Sequence, residues 1–569
     1  MKKLTLNQLM SVIGKKNIAR LLKFIPLIFT ISLLDVIGIT SLIPVLQHIS
    51  GQNIELFNIN FDKFFTNMNY ENVLYFFLIF ILFINLVKFF LILINNYFFN
   101  KITLEMQISM QKKILEDYIY GPWFATLDKN TSEKLRDINE ETLILKNNLI
   151  LPFFSILSEL LIIFSMGLFL ISNGNIKTLA IILISGIICL VFFKVNKTRL
   201  FNYGQLRRKY EKIKNQKVLD AMYGLREIKF FNFSSKIFSD FLTVTNNLKN
   251  IYLKQSLLLI TPKLILEIVV MTLLMGMIIF LFKQGISFEK IISSMAFYVV
   301  AVYKILPSFY KTLNNVQVIN FALPTIYALN HVVNRNLKYD HGNTFKKINF
   351  DNKIVFRNVS FTYPKKTNKI LDDVNITIHK NSFTGIFGES GSGKSTFIDL
   401  LTGLIIPNDG QIIIDEDKNK ILQESWKKNI GIVTQKIYLF EGSIRENVTI
   451  FESINNIAEK KLLNSLKAVN LSKYANIDSL DSQIEENGIN LSGGERQRIG
   501  LARCLYQNRD IIILDEPTNN LDEKSEIKFY ETLKNLKSNK TIIIVSHNKE
   551  LVNFCDEILY VEEGNIYKK

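Results

Sequence analysis

Cysteine is scarce: the 569-residue chain has three, Cys189, Cys504 and Cys555, with no CxxC pair and no Cys/His clustering. That spacing argues against a disulfide framework and against a zinc site, and leaves them as ordinary buried residues. Acidic residues are short too, 51 Asp and Glu against 68 Lys and Arg, which leaves a net charge of +17. An excess of this size suits a nucleic-acid-binding protein or a membrane protein with lysine-rich loops, so the location of the charges decides. Proline is missing from Arg199 to Lys254, where apolar residues recur at helical spacing. That stretch reads as helix rather than linker.

Apolar residues are plentiful, 48% of the chain with 44 Phe, beside 21% charged residues. Such a mixture implies that an apolar part and a polar part are separated in space, and the length allows two domains. Runs near the ~20 residues needed to cross a bilayer lie at 21–47, 73–98, 149–172, 178–195, 256–282 and 287–310, predicting six spans. Lys2, Lys3, Lys15 and Lys16 precede the first run as they would a signal peptide, but no small-residue cleavage site follows it. Leu6, Leu9, Met10 and Ile13 suggest a short amphipathic helix at the membrane surface. The connections 99–148 and 196–254 hold Lys112, Lys113, Lys197, Arg199, Arg207, Arg208, Lys209 and Lys214, which places them in the cytoplasm, not on nucleic acid. With six spans, both termini are then cytoplasmic. Turns are expected near Tyr120–Trp123 and Asp220–Leu225, where Gly121, Pro122 and Gly224 interrupt the helical pattern, and either turn is a candidate for contact with the second domain.

Around Asn336–Asn352 the chain becomes polar and then alternates β-branched runs with helical pattern, the mark of an α/β domain. This divides the chain into a membrane domain, 1–335, and a second domain, 336–569. Gly388, Glu389, Ser390, Gly391, Ser392, Gly393, Lys394 and Ser395 fit GxxxxGK[ST] after the apolar run Phe383–Phe387, with a helical pattern from Thr396. Glycines let backbone N–H groups approach phosphate oxygens, the helix N-terminus favours their charge, Lys394 reaches the terminal phosphates, and Ser395 offers a ligand to Mg2+. ATP with Mg2+ is the expected cofactor. Ile511–Leu514 reads as a buried strand that delivers Asp515, to hold magnesium through water, and Glu516, to polarise an attacking water.

Between these motifs, Leu491 to Arg498, with Ser492, Gly493, Gly494 and Glu495, resembles the signature of ABC ATPases. Tyr363 resembles the family's adenine-stacking aromatic, Gln435 its Q-loop glutamine at the metal and the reacting water, Asn520-Leu521-Asp522 its D-loop, and His547 its switch histidine. Gln435 to Phe440, Gly442 to Asn447 and Ile484 to Gly488 are similar to the exporter pattern, with Glu485 where exporters usually carry Gly. Pro517, Asn519-Asn520 and Ser546-His547-Asn548 also depart from the common exporter residues. The resemblance implies a six-span helical membrane domain with long cytoplasmic helical extensions, fused to a P-loop ABC nucleotide-binding domain. It further implies a homodimer in which each ATP is held between one chain's phosphate loop and its partner's signature. Soluble DNA-repair ATPases with related motifs are excluded by the apolar spans and by the lack of a coiled-coil insertion.

The membrane half is similar to bacterial lipid-linked oligosaccharide flippases at Asp35-Val-Ile-Gly-Ile with Pro44, at Pro262-Lys263 with Glu267, and at Val302 to Pro307. That resemblance implies a multi-pass protein of the bacterial cytoplasmic (inner) membrane and an amphiphilic anionic or lipid-linked substrate carrying a pyrophosphate. A lysine at mid-span costs about 2.5 to 3.5 kcal/mol, so Lys88, Lys263 and Lys304 are candidate substrate contacts. Lysine keeps the charge of the family's usual arginine without its bidentate fork. The alternatives for these lysines are snorkelling and pairing with Asp35, Glu159 and Glu267. Peptide, lipid or drug export, and an ATP-regulated membrane gate without pumping, remain open beside a glycolipid cargo.

Overall fold

The computed structural model describes residues 15–41, 45, 55–56, 59–60, 70–123, 129–172, 176–285, 288–333, 347–364, 367–423, 425–453, 456–518, 523–546 and 554–568. The chain divides into two compact units, Met1–Tyr339 and Asp340–Lys569. The amphipathic segment expected around Leu6–Ile13 lies outside the described residues.

The first unit is helical: α1 (Lys15–Leu22), α2 (Ile25–Thr40), α3 (Tyr70–Tyr120), α4 (Thr131–Leu145), α5 (Leu151–Ser172), α6 (Ile176–Tyr223), α7 (Leu225–Phe230), α8 (Ser234–Lys283) and α9 (Phe288–Val333), with a short β1–β2 pair (Glu55–Leu56, Ile59–Asn60) before α3. Helix α3 alone runs 51 residues, far beyond the ~20 that a bilayer requires. Its apolar half points Ile79, Leu82, Phe83 and Phe90 outward, each more than half exposed. A water-facing helix hides such side chains, whereas a lipid-facing one displays them. Four described stretches, Ala19–Gly38, Glu71–Tyr120, Thr131–Leu168 and Ser234–Lys283, are long and apolar enough to cross a membrane. Helices α6 and α9 carry the remaining two apolar runs, where many side chains lie outside the described residues.

Local chemistry sets the breaks. One π-helical turn, Lys146–Ile150, joins α4 to α5. Pro152 follows, and its missing N–H cannot serve the carbonyl four residues earlier, so the ladder widens just before it. Helix α3 ends where expected, with Gly121 donating to the Asp117 carbonyl at 3.0 Å. The turn expected at Asp220–Leu225 is only a break at Gly224. Helix resumes as α7, and the connection to α8 is made at Phe231–Phe233, with Asn232 in the left-handed region at φ 55°. No Gly or Pro marks that second turn, so spacing alone missed it. Helices α6 and α9 approach closely at Gly204, where a Cβ would stand 2.1 Å from the Phe321 carbonyl oxygen.

Beside that contact lies a buried ion-pair network. Asp137 and Glu141, one turn apart on α4, are fully buried. Lys129 reaches Asp137 at 2.6 Å and Arg208 reaches it at 3.2 Å. Glu141 accepts from Arg208 at 2.8 Å, from Arg207 at 3.1 Å and from Thr325 on α9 at 2.5 Å.

The second unit is α/β. Strands β5 (Phe383–Gly388), β7 (Ile430–Val433), β10 (Ile511–Asp515), β11 (Thr541–Val545), β12 (Glu557–Glu562) and β13 (Asn565–Lys568) form one sheet in the order β13-β12-β5-β11-β10-β7, parallel except for β13. Ile511 to Leu514 and Ile542 to Val545 are all buried, as strands covered on both faces require. A separate antiparallel sheet sets β3 (Lys353–Phe361) between β4 (Leu371–His379) and β6 (Asp409–Ile414), and a short antiparallel pair joins β8 (Gly442–Ser443) to β9 (Gln483–Ile484). The α-helices among the described residues of this unit are α10 (Lys394–Leu401), α11 (Ile444–Thr449), α12 (Glu459–Ala468), α13 (Gly493–Tyr506) and α14 (Glu523–Leu536).

The Cys504 thiol is buried and the Cys555 thiol half-buried. Burial pushes each of them up to about 12. Cys189 contributes backbone to α6, while its side chain lies outside the described residues.

Candidate nucleotide site

Strand β5 runs into the loop Glu389–Gly393, and α10 starts at Lys394, two residues before the helical pattern suggested. Gly391 and Gly393 have φ of 86° and 114°, values open to glycine at no steric cost. At Gly388 a Cβ would lie 2.3 Å from the Val561 carbonyl oxygen, so strand β12 closes the back of the loop. Lys394 folds over the loop, its Nζ donating to the carbonyls of Gly388 and Glu389 at 2.7 Å each. Ser392 Oγ is buried without a hydrogen-bond partner. Ser390, Gly391 and Ser395 are exposed, while Thr396 is buried and its Oγ1 lies 3.3 Å from the Tyr363 hydroxyl. A glycine loop at a helix start, an unpartnered hydroxyl and a nearby ammonium fit a nucleotide phosphate.

The acidic edge is built by strand register. In the parallel pair β7–β10, Val433 stands opposite Leu514, so both strands end at the same edge. Gln435 and Glu516 follow those ends, and Gln435 Nε2 donates to Glu516 Oε2 at 2.6 Å. Glu516 has a φ of 47°, and its N–H donates to the Val545 carbonyl at 2.9 Å, which holds the turn that aims the carboxylate. Burial pushes the Asp515 carboxyl above its ordinary value, Glu516 adds to the rise, and the Lys394 ammonium works against it. Asp399, on α10, is pushed up to about 6 by burial and then by the charge of Asp515. Sequence reasoning missed Asp399. The available signal was an acid five residues after Lys394 in an otherwise apolar helix.

Ser492 caps α13 in a capping box with Glu495: Ser492 N–H donates to Glu495 Oε2 at 2.9 Å, and Glu495 N–H donates to Ser492 Oγ at 3.2 Å. Glu495 also lies 3.6 Å from Lys473. Its carboxyl is held below the usual range despite burial, by the Ser492 N–H and hydroxyl and by Lys473. Gly493 and Gly494 form the first turn of the helix. Among the described residues, no hydrogen bond or ion pair joins the signature 491–495 to the phosphate loop 388–396. His547 and Asn520-Leu521-Asp522 lie outside the described residues.

In the helical unit, Lys88 pairs with Asp35 at 3.2 Å. Lys263 sits 3.8 Å from Glu267 on its own helix and 5.5 Å from the centre of the Tyr310 ring. The Lys304 side chain lies outside the described residues. A cavity of about 730 Å³ opens between α2, α3, α5 and α9, with Asp35, Glu159 and Lys311 in its lining; Lys88 and Lys263 are not part of that lining. Lys311, which the sequence reading passed over, pairs with Glu159 at 3.1 Å.

Residues 371–519 match the family described as ABC transporter. Over 221 residues the chain is 38% identical to the ATP-dependent lipid A-core flippase of Blochmanniella floridana, a match covering 38% of this chain and 37% of that protein. Over 219 residues it is 33% identical to the exotoxin translocation ATP-binding protein PaxB of Pasteurella aerogenes, covering 38% of this chain and 30% of that protein. The chain thus matches well under half the length of these relatives, whose names point to unlike cargo. Across nearly its whole length the fold is similar to a solved bacterial Atm1-family ABC exporter with ATP bound, with a TM-score of 0.78 and 17% identity, covering 97% of this chain and 94% of that one.

Proposed function

We infer that this chain, which has the fold of an exporter-type ABC half-transporter and an ABC transporter domain at residues 371–519, hydrolyses ATP to export or flip an amphiphilic substrate across a cytoplasmic membrane. One observation carries the reading. Lys394, Gln435, Asp515 and Glu516 gather at one sheet edge, in a chain that also has helices long and apolar enough to cross a bilayer.

In this reading residues 1–335 are a six-span membrane domain with both termini cytoplasmic, and residues 336–569 are the ATP-binding domain. Glycines 388, 391 and 393 with Glu389, Ser390, Ser392, Lys394, Ser395 and Thr396 would hold the phosphates, and Tyr363 the adenine. Ser395, Gln435 and Asp515 would hold Mg2+. Bound ATP supplies the phosphoanhydride whose cleavage drives the cycle. Glu516 takes the proton of the attacking water, and the hydrogen bond from Gln435 holds its carboxylate in place. His547 serves as the switch histidine. Ser492, Gly493, Gly494 and Glu495 complete the partner's site in a homodimer.

The narrower reading of the cargo is a lipid-linked pyrophosphate oligosaccharide, with Lys88, Lys263 and Lys304 as its anion contacts. The ion pairs of Lys88 and Lys263 mean that a bound phosphate has to compete with Asp35 and Glu267. Peptide, simple lipid and drug are the rivals. The test is ATP-dependent movement of a fluorescent lipid-linked pyrophosphate oligosaccharide in proteoliposomes, abolished by Glu516→Gln. Movement of a simple lipid but not the saccharide rejects the narrower reading. Hydrolysis with no movement of any amphiphile rejects export and leaves a gate.

A further inference from the structure

The cavity of the helical unit has a composition at odds with the helices that build it. Asn95, Asn96 and Asn100 of α3, Ser155 and Ser158 of α5, and Ser308 of α9 line it. Asn96 and Asn100 are one turn apart, as are Ser155 and Ser158, so each helix presents a polar stripe on one face. In apolar helices such groups are expensive unless they meet a polar partner. Asn95 Oδ1 is buried and has none.

Charge narrows the ligand. The two carboxylates in the lining are already matched, Asp35 by Lys88 at 3.2 Å and Glu159 by Lys311 at 3.1 Å. An anionic ligand would need surplus cations here and a cationic one surplus acids, because a net charge held at low dielectric must be compensated. What remains is amide and hydroxyl: Ser158 Oγ already donates to the Ser155 carbonyl and Ser155 Oγ already accepts from Asn315, each at 2.8 Å. That leaves Ser158 to accept and Ser155 to donate beside amides that do both, and this suits a group whose own hydroxyls donate and accept. Phe99 and Phe154, whose ring centres are 5.4 Å apart, also line the cavity and offer apolar faces. The volume, about 730 Å³, falls within the roughly 300–1,000 Å³ of ligand sites.

We propose that this cavity binds an uncharged polyhydroxylated group, the saccharide portion of the cargo, through the amides and hydroxyls of α3 and α5. This rests on the exporter reading and names a head-group chemistry within it, at residues distinct from the lysines.

The test uses the full-length protein in lipid nanodiscs and four probes: decyl maltoside below its micellar concentration, maltose, decyl phosphate and decyltrimethylammonium. A photoreactive decyl maltoside should label segments 95–100 and 155–159 of the wild-type protein by mass spectrometry. Competition by maltose alone supports the assignment with a free sugar as the source. Competition only by decyl maltoside supports it with a tethered sugar. Asn96→Leu combined with Ser158→Ala should weaken decyl maltoside binding about tenfold or more, from two lost hydrogen bonds, and leave the two charged probes unchanged. Labelling elsewhere in the wild type overturns the proposal, whether or not the variant folds. So does an equal loss for decyl phosphate. The exporter reading fails separately, if ATP moves none of the probes while the cavity is still labelled.

Discussion

Gln435 Nε2 donates to Glu516 Oε2 at 2.6 Å, across two parallel strands whose register brings both residues to one edge. The bond occupies one carboxylate oxygen and orients the other. Binding requires the phosphate loop, whereas hydrolysis also requires a base within reach of water. Glu516→Gln is therefore expected to bind ATP near the wild-type affinity while turnover falls by about a hundredfold or more. Gln435→Ala removes the orienting contact and not the base, so its loss should be smaller. Lys394→Ala should lose both binding and turnover. Phosphate release and nucleotide binding on purified protein check all three, and normal release by Glu516→Gln would refute the role given to that residue.

Within the chain the signature helix keeps its first turn on its own cap, Ser492 with Glu495, and among the described residues has no bond to the phosphate loop. In the proposed homodimer a complete site takes its signature from the second copy. A Ser492→Arg chain mixed with a Lys394→Ala chain should regain about one competent site per mixed dimer, in a two-fold arrangement, while each variant alone stays inactive. Recovery is read as ATP hydrolysis against mixing ratio. A wild-type protein that hydrolyses ATP as a strict monomer would contradict the dimer.

The nucleotide motifs were legible because each joins a rigid chemical demand to a short local pattern. A strand ending in Asp515-Glu516 and a glycine loop between a strand and a helix survive any detail of packing. Gln435, by contrast, entered only through family resemblance, since its partner is 81 positions away in the chain. The helices of the first unit were legible as apolar runs, but not the turn at Phe231–Phe233, which lacks Gly and Pro. The lysines illustrate the sharper limit. Hydropathy marks Lys88 and Lys263 as costly, yet whether a cation meets a ligand or Asp35 is decided by contacts between distant helices. For the same reason the polar stripe Asn95–Asn96–Asn100 went unread: a few amides in an apolar helix carry meaning only when another helix sets serines opposite them.

Asp399 gives the ATP-binding unit a pH signature. Its carboxyl is pushed up to about 6 by burial and by Asp515, above the ordinary carboxylate value of about 3.9. A raised carboxyl favours the folded state when protonated. Its contribution is fully present below about pH 4 and is lost as pH rises through about 6. Asp399→Asn cannot ionise and escapes that loss. Without nucleotide, the variant should melt above wild type at pH 7.5, with a smaller gap at pH 4.5. Trp426, fully buried with its Nε1 donating to the Leu401 carbonyl at the end of α10, reports this in a Trp123→Phe background. An equal gap at both pH values would show that the charge of Asp399 is not the cause.

The network at Glu141 allows a test of the helical unit that owes nothing to nucleotide. Glu141 is fully buried and accepts from Arg207, Arg208 and Thr325, which draws α4, α6 and α9 together near the tight crossing at Gly204. Taking one partner from a buried pair leaves the other charge in a low dielectric, at a cost of about 3–5 kcal/mol, whereas replacing both with apolar groups is often nearly neutral. Glu141→Leu should thus lower the melting temperature of the full chain in detergent sharply, because Arg207, itself fully buried, then keeps as its acidic partner only the more distant Glu211 at 3.9 Å. Glu141→Leu with Arg207→Leu should recover part of that loss, though Arg208 and Asp137 keep the recovery incomplete. Coupling of this sign is expected for residues in direct contact and not for independent sites. If the double variant melts at the sum of the two single losses, the pair makes no joint contribution, and the hold between α4 and α6 rests on their other contacts, among them Arg208 with Asp137 at 3.2 Å and Asn215 with Glu140 at 3.0 Å.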